Sequence, residues 1–134
     1  MEWEFKEAKF GDVIRTKVSF YYHYGIFVSD DRIIQFGLPD DPTKPANDIK
    51  VLVSDIYTFL AGRELEVAVP KGNEKRKIRK PQIIVQNAEA AIGRGGYDLF
   101  HNNCEHFVYE CAFGEHISSL DSMRDKIRKK LKKE

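Results

Sequence analysis

The stretch "FYYHYGIFVSDDRIIQF", residues 20 to 36, decides how this chain folds. Its first half, "FYYHYGIFV" (20–28), is aromatic and β-branched, and so is "RIIQF" (32–36). Such residues suit the pleated, half-buried surface of a strand. Ser29, Asp30 and Asp31 between them are residues that turn a chain. The stretch therefore predicts an antiparallel hairpin. With a three-residue loop at 29–31, Val28 pairs with Arg32, Gln35 faces Gly25 and His23 faces Gly37. His23 and Gln35 are then diagonal neighbours on one face, about 7–8 Å apart at the backbone. A two-residue loop would put Gln35 on the other face, because side chains alternate along a strand.

Outward from the hairpin, "GDVIRTKV" (11–18), "IKVLV" (49–53) and "LEVAV" (65–69) read as further strands. "GLPDDPTKPAND" (37–48), with three prolines, reads as a surface loop. "SDIYTFLAG" (54–62) reads as a short helix with Ser54 as N-cap and Gly62 as its stop. Pro81 opens a helix that runs to about Ile92. In "YDLFHNNCEHFVYECAFGE" (97–115), "YDLF" is an extended lead-in. A helix follows, with Asn102 and Glu105 as a capping-box pair and Gly114 as its end. Cys104, Phe107, Val108, Cys111 and Ala112 form the apolar stripe of a core-facing helix. The fold class expected is α+β, an antiparallel β-sheet packed against helices. One domain over 1–119 is expected, followed by a basic amphipathic helix or tail over 120–134.

With 42% hydrophobic and 32% charged residues, the 134-residue chain has a globular composition. No run approaches the roughly 20 apolar residues that span a bilayer, and "MEWEFKEAKF" lacks the apolar region of a signal peptide. A cytoplasmic protein, peripheral to membrane, is the expectation. The net charge of +1 hides an asymmetry: residues 71–80 carry net +5, residues 121–134 carry net +4, and the remainder carries −8. These two basic segments are expected to touch anionic membrane, with no nucleic acid as partner.

The two cysteines lie seven residues apart on one helix, about 10 Å at 1.5 Å per residue, beyond the reach of a disulfide. Both thiols are expected to be free. The spacing of Cys104, His106, Cys111 and His116 matches no common zinc pattern, so neither metal nor cofactor is expected. Cys111 reads as core. Cys104 differs, because it stands in the first helical turn, where N–H groups and the dipole favour an anion. A lowered thiol pKa is expected there. A thiolate also needs a base and an orienting partner. His23, an imidazole in mid-strand, and Gln35, whose amide oxygen can hold one ring nitrogen, fit those parts. His106, two residues past Cys104, points away from it.

"NCEHF" (103–107), together with "HYGIFVSDDRIIQF" (23–36) and "FGDVIR" (10–15), resembles the LRAT-like family. This family, named for lecithin:retinol acyltransferase, lies within the permuted papain-like superfamily that also holds the NlpC-type peptidases. "VLVSDIYTFLAG" (51–62) and "YECAFGE" (109–115) fit as well, so the resemblance covers roughly residues 10 to 115. It implies that Cys104 is the nucleophile, His23 the general base and position 35 the third polar residue. The family typically has histidine at that position, where this chain has Gln35. The implied activity is thiol-based acyl transfer or hydrolysis on phospholipid through a thioester on Cys104. Tyr21, Tyr22 and Asn103 are candidate oxyanion or acyl-site neighbours. An NlpC-type amidase or peptidase, or a non-catalytic binding module, are the alternatives.

Overall fold

In the computed structural model of the chain, residues 1–39 and 44–116 are described. Strands β3 (Tyr21–Ser29) and β4 (Arg32–Phe36) pair antiparallel with Gly25 opposite Gln35, the predicted register. The route to that register differs from the prediction. Ser29 pairs with Arg32 across a two-residue turn, and the ladder shifts between Phe27 and Ser29, so Val28 is an extra residue on β3. A two-residue turn alone would reverse which face Gln35 occupies; the bulge restores it.

The hairpin lies inside a six-stranded sheet with β1 (Glu2–Glu4), β2 (Val13–Val18), β5 (Val51–Ser54) and β6 (Glu66–Val69), in the order β1-β6-β2-β3-β4-β5. Every neighbouring pair is antiparallel. The sheet carries helices, so the architecture is the α+β one expected. Helices α3 (Pro81–Ala91) and α4 (Cys104–Phe113) cover one face, where Tyr24, Ile26, Ile34 and Phe36 join Ile84, Phe107 and Val108 in the main core. Helix α1 (Ile56–Leu60) covers the other face, where its Phe59 packs with Ile14, Phe27, Ile33 and Val67. Consecutive strand residues fall in opposite clusters, as alternation requires. Gly11 enters β2 at φ +85°, and a Cβ there would lie 2.5 Å from that of Pro81. Glycine thus lets β2 begin directly against the head of α3.

Several boundaries differ from the sequence reading, each for a local reason. The N-cap of α1 is Asp55, which accepts from the Thr58 N–H at 2.7 Å; Ser54 ends β5 with its hydroxyl engaged elsewhere. The left-handed residue that stops α1 is Ala61, one before Gly62. "YDLF" is not extended: the Asp98 carboxylate accepts from Phe100 and His101 N–H, and Asp98 pairs with Asn102 to close a turn. That turn holds Asn102 in a bridge and passes the cap of α4 to Asn103.

Two elements go beyond the reading. β1 has weak strand composition, yet Trp3 packs edge-on to Tyr24, with ring centroids 5.8 Å apart, and lies against the Arg15 guanidinium. Helix α2 (Asn73–Lys77) occupies part of the basic segment 71–80, with Lys75, Arg76 and Lys77 exposed. The basic tail at 120–134 lies outside the described residues. Among the described residues, no helix is long and apolar enough to cross a membrane.

Candidate active site

Helix α4 begins at Cys104 behind a reciprocal cap. The Asn103 side-chain oxygen accepts the N–H of Glu105 and of His106, each at 3.0 Å, and His106 Nδ1 accepts the Asn103 N–H at 3.0 Å. The predicted pair was Asn102 with Glu105; the observed one is Asn103 with His106. Here an imidazole nitrogen does the work of the usual carboxylate or amide. The buried stripe is the predicted one, Cys104, Phe107, Val108, Cys111 and Ala112. Both cysteines are free and buried.

The hydrogen bonding of β3 fixes where the Cys104 thiol sits. The Gly11 N–H donates to the Phe27 carbonyl (2.8 Å), and the Phe27 N–H donates to that of Asp12 (2.9 Å). Odd-numbered residues of β3 up to Phe27 therefore turn their peptide groups toward β2, and even-numbered ones toward β4. The last rung between β3 and β4 is Gly25 with Gln35. Beyond it, the Tyr22 carbonyl and the Tyr24 N–H emerge on a flank that β4 has left. Cys104 fills this flank, with Sγ 4.0 Å from the Tyr22 carbonyl oxygen and the Tyr24 N–H also bonded to it. The thiol thus lies against the peptide groups on either side of His23.

The His23 side chain, 1% exposed, stands on the α1 face with its ring 5.2 Å from that of Phe59. Its Nε2 is 2.7 Å from Gln35 Oε1, so the predicted diagonal pair is in direct contact. Gly25 makes room, because a Cβ there would lie 3.3 Å from the Phe59 ring and 3.1 Å from Ile33 Cγ2. The Gln35 amide nitrogen donates to Ser54 Oγ (2.5 Å), and the Ser54 hydroxyl donates to the Asp55 carbonyl (2.9 Å). Sequence reasoning placed Ser54 at a helix cap and missed it here. At the end of β5 it pairs with Ile33 of β4, one step diagonal from Gln35, so the alternation rule finds it once the β4–β5 register is known.

The other candidate neighbours are engaged elsewhere. The Tyr21 hydroxyl donates to the Pro39 carbonyl (2.8 Å), and the Tyr22 ring stacks on the Arg15 guanidinium at 3.8 Å. It is the Tyr22 peptide, not its ring, that meets the thiol. The Asn103 amide nitrogen donates to the Leu99 carbonyl (2.7 Å) while its oxygen caps the helix. Two open clefts of about 440 and 410 Å³ mark the surface, one lined by Phe27 and Ile56, the other by Phe5 and Tyr22; neither is lined by Cys104 or His23.

The expected lowering of the Cys104 pKa is overturned. Burial pushes the thiol up to about 11; N–H groups of Tyr24, Cys104 and Glu105 oppose this, while the Glu105 carboxylate adds to it. Desolvation outweighs the helix N-terminus. At neutral pH the resting thiol is protonated, so a nucleophile forms only as a base removes that proton. Burial pushes Cys111 up to about 12. Both thiols hold protons in the fold that the unfolded chain releases near pH 9. The thiols' contribution to stability is therefore flat below that pH and falls above it, by about 1.4 kcal/mol per pH unit per thiol. Urea midpoints compared at pH 8, 9 and 10 are expected to show this fall, with part of the slope removed in Cys111→Ala.

An open, antiparallel six-stranded sheet carrying helices is the fold of the LRAT-like class. The chain belongs to the lecithin retinol acyltransferase family, whose model matches residues 6–117. It is 27% identical over 129 residues to lecithin retinol acyltransferase of Mus musculus, covering 81% of this chain and 55% of that protein. It is 28% identical over 130 residues to phospholipase A and acyltransferase 3 of Homo sapiens, covering 90% of this chain and 79% of that protein. The chain spans about half the length of the lecithin retinol acyltransferases it matches.

Proposed function

We propose that this chain is a thiol-dependent acyltransferase or phospholipase acting on phospholipid acyl chains, with Cys104 as nucleophile, His23 as general base and Gln35 as the residue that orients His23. The observation that carries the reading is the Cys104 thiol against the peptide groups flanking His23, whose ring Gln35 holds at 2.7 Å. His23 takes the thiol proton as sulfur attacks the ester carbonyl. The resulting tetrahedral intermediate collapses, the lysophospholipid alkoxide leaves with the proton from His23, and a thioester remains on Cys104. An amine, an alcohol or water then gives up a proton to His23, attacks the thioester and releases the thiol. The relatives' names support the acyl chemistry.

Contact with a lipid surface is part of the same reading. The exposed bases of residues 71–80, and the tail at 121–134, suit an anionic membrane. Phe20, 91% exposed at the β2–β3 turn, and the exposed Leu99 and Phe100 just before the α4 cap offer apolar contacts. The test is intact mass and peptide mapping after incubation with phospholipid vesicles, with lysophospholipid release followed in parallel. The expected result is one acyl group on the Cys104 peptide and none on that of Cys111. The absence of both adduct and release, across pH and lipid composition, would overturn the proposal. The raised thiol pKa favours one second reading, a non-catalytic binding module, marked by lipid bound and never cleaved.

A further inference from the structure

The hydrogen-bond chain behind Gln35 has a direction, and its source is a backbone carbonyl. The Asp55 carbonyl has no proton to give, so at 2.9 Å the Ser54 hydroxyl must donate to it. That hydroxyl has a single proton, and at its 2.5 Å contact with Gln35 it must therefore accept. The Gln35 atom facing Ser54 is then the amide nitrogen, and Oε1 faces His23 at 2.7 Å. An amide oxygen only accepts, so His23 carries its hydrogen on Nε2. A neutral imidazole has one N–H, which leaves Nδ1 as the basic nitrogen.

We infer that Ser54 is a positioning residue for the proposed reaction: through Gln35 it selects the Nε2–H tautomer of His23 and so makes Nδ1 the base. The effect on turnover rests on the functional reading above; the tautomer does not. A histidine or carboxylate at position 35 has no amide to turn over, whereas a glutamine presents oxygen or nitrogen to His23 with little difference in shape. Without the Ser54 hydroxyl the amide loses its reason to keep the oxygen inward. Flipped, it would place its NH2 against His23 Nε2 and drive the ring proton to Nδ1. Ser54 therefore matters here because position 35 is Gln.

The experiment is nitrogen NMR on the full chain with ring-labelled histidine, His23 being assigned by difference from His23→Gln. Wild type is expected to carry the proton on Nε2. Ser54→Ala is expected to shift a substantial fraction to Nδ1, and Ser54→Thr, which keeps the hydroxyl, to restore the wild-type pattern. In turnover, Ser54→Ala should lower kcat about five- to tenfold, the bias of one hydrogen bond, with KM nearly unchanged. In a Gln35→Glu background, where both atoms facing His23 and Ser54 are oxygens, the same change should cost less than about twofold. A wild-type His23 protonated on Nδ1 overturns the inference without any variant. So does an unaltered tautomer in Ser54→Ala, or an equal loss in both backgrounds. A chain that reads out the Nε2–H tautomer and its Ser54 dependence, yet forms no acyl adduct, keeps the inference and loses the functional proposal.

Discussion

Cys104→Ser is expected to reduce lysophospholipid release by at least about a thousandfold while leaving the fold intact. The alcohol is far less acidic and less nucleophilic than the thiol, so the base has a harder proton to remove; loss of an activated nucleophile costs several orders of magnitude in rate. The fold tolerates the change because serine is close to cysteine in shape and volume and keeps a polar group beside the Tyr24 N–H on the flank of β3. The cap of α4 does not involve this side chain either, since Asn103 and His106 build it. Release assays on vesicles, paired with a thermal melt, check both halves. Near-wild-type release from a folded Cys104→Ser chain would remove the thiol from the mechanism.

His23→Gln is expected to lower turnover at neutral pH by about a hundred- to ten-thousandfold, the range for loss of a general base. Its pH profile is the sharper readout. The Cys104 thiol is held at about 11 by burial, so without a base its reactive form grows about tenfold per pH unit up to that value. The variant should rise throughout that range, whereas wild type, with its base in place, should depend on pH less steeply. The two should converge toward high pH. A variant profile parallel to that of wild type would place the base elsewhere. Glutamine is chosen because it keeps a polar group against Gln35 in a site that is 1% exposed, where an unpartnered amide would itself destabilise the chain.

How much of this could be read from the sequence depends on the range of each interaction. Alternation along β3 and β4 put His23 and Gln35 side by side before any coordinates, but on the assumption of a three-residue loop; the structure reaches that register through a two-residue turn and the extra residue Val28. The α4 stripe was equally legible, because helical spacing sorts Cys104 and Cys111 to the core without reference to what packs on them. Ser54 was hidden by distance. The proline-rich loop at 37–48 conceals how β5 pairs with β4, and with it the Gln35 to Ser54 contact. The cap of α4 fell one residue late because Asp98 folds the preceding turn, a choice that "YDLF" does not advertise. The direction of the Cys104 pKa was misjudged for a related reason: the helix dipole is visible in sequence, whereas depth of burial is a property of the assembled core.

The paired irregularities of the β3–β4 hairpin amount to a counting rule. The turn is one residue shorter than the parity of His23 and Gln35 demands, and Val28 supplies the missing residue on the strand. Each defect alone would send the Gln35 amide toward α4 and leave His23 without its partner; together they cancel. Changes of length in this hairpin should therefore be tolerated in twos and not in ones, with the His23–Gln35 contact acting as the parity check on any rebuilt loop.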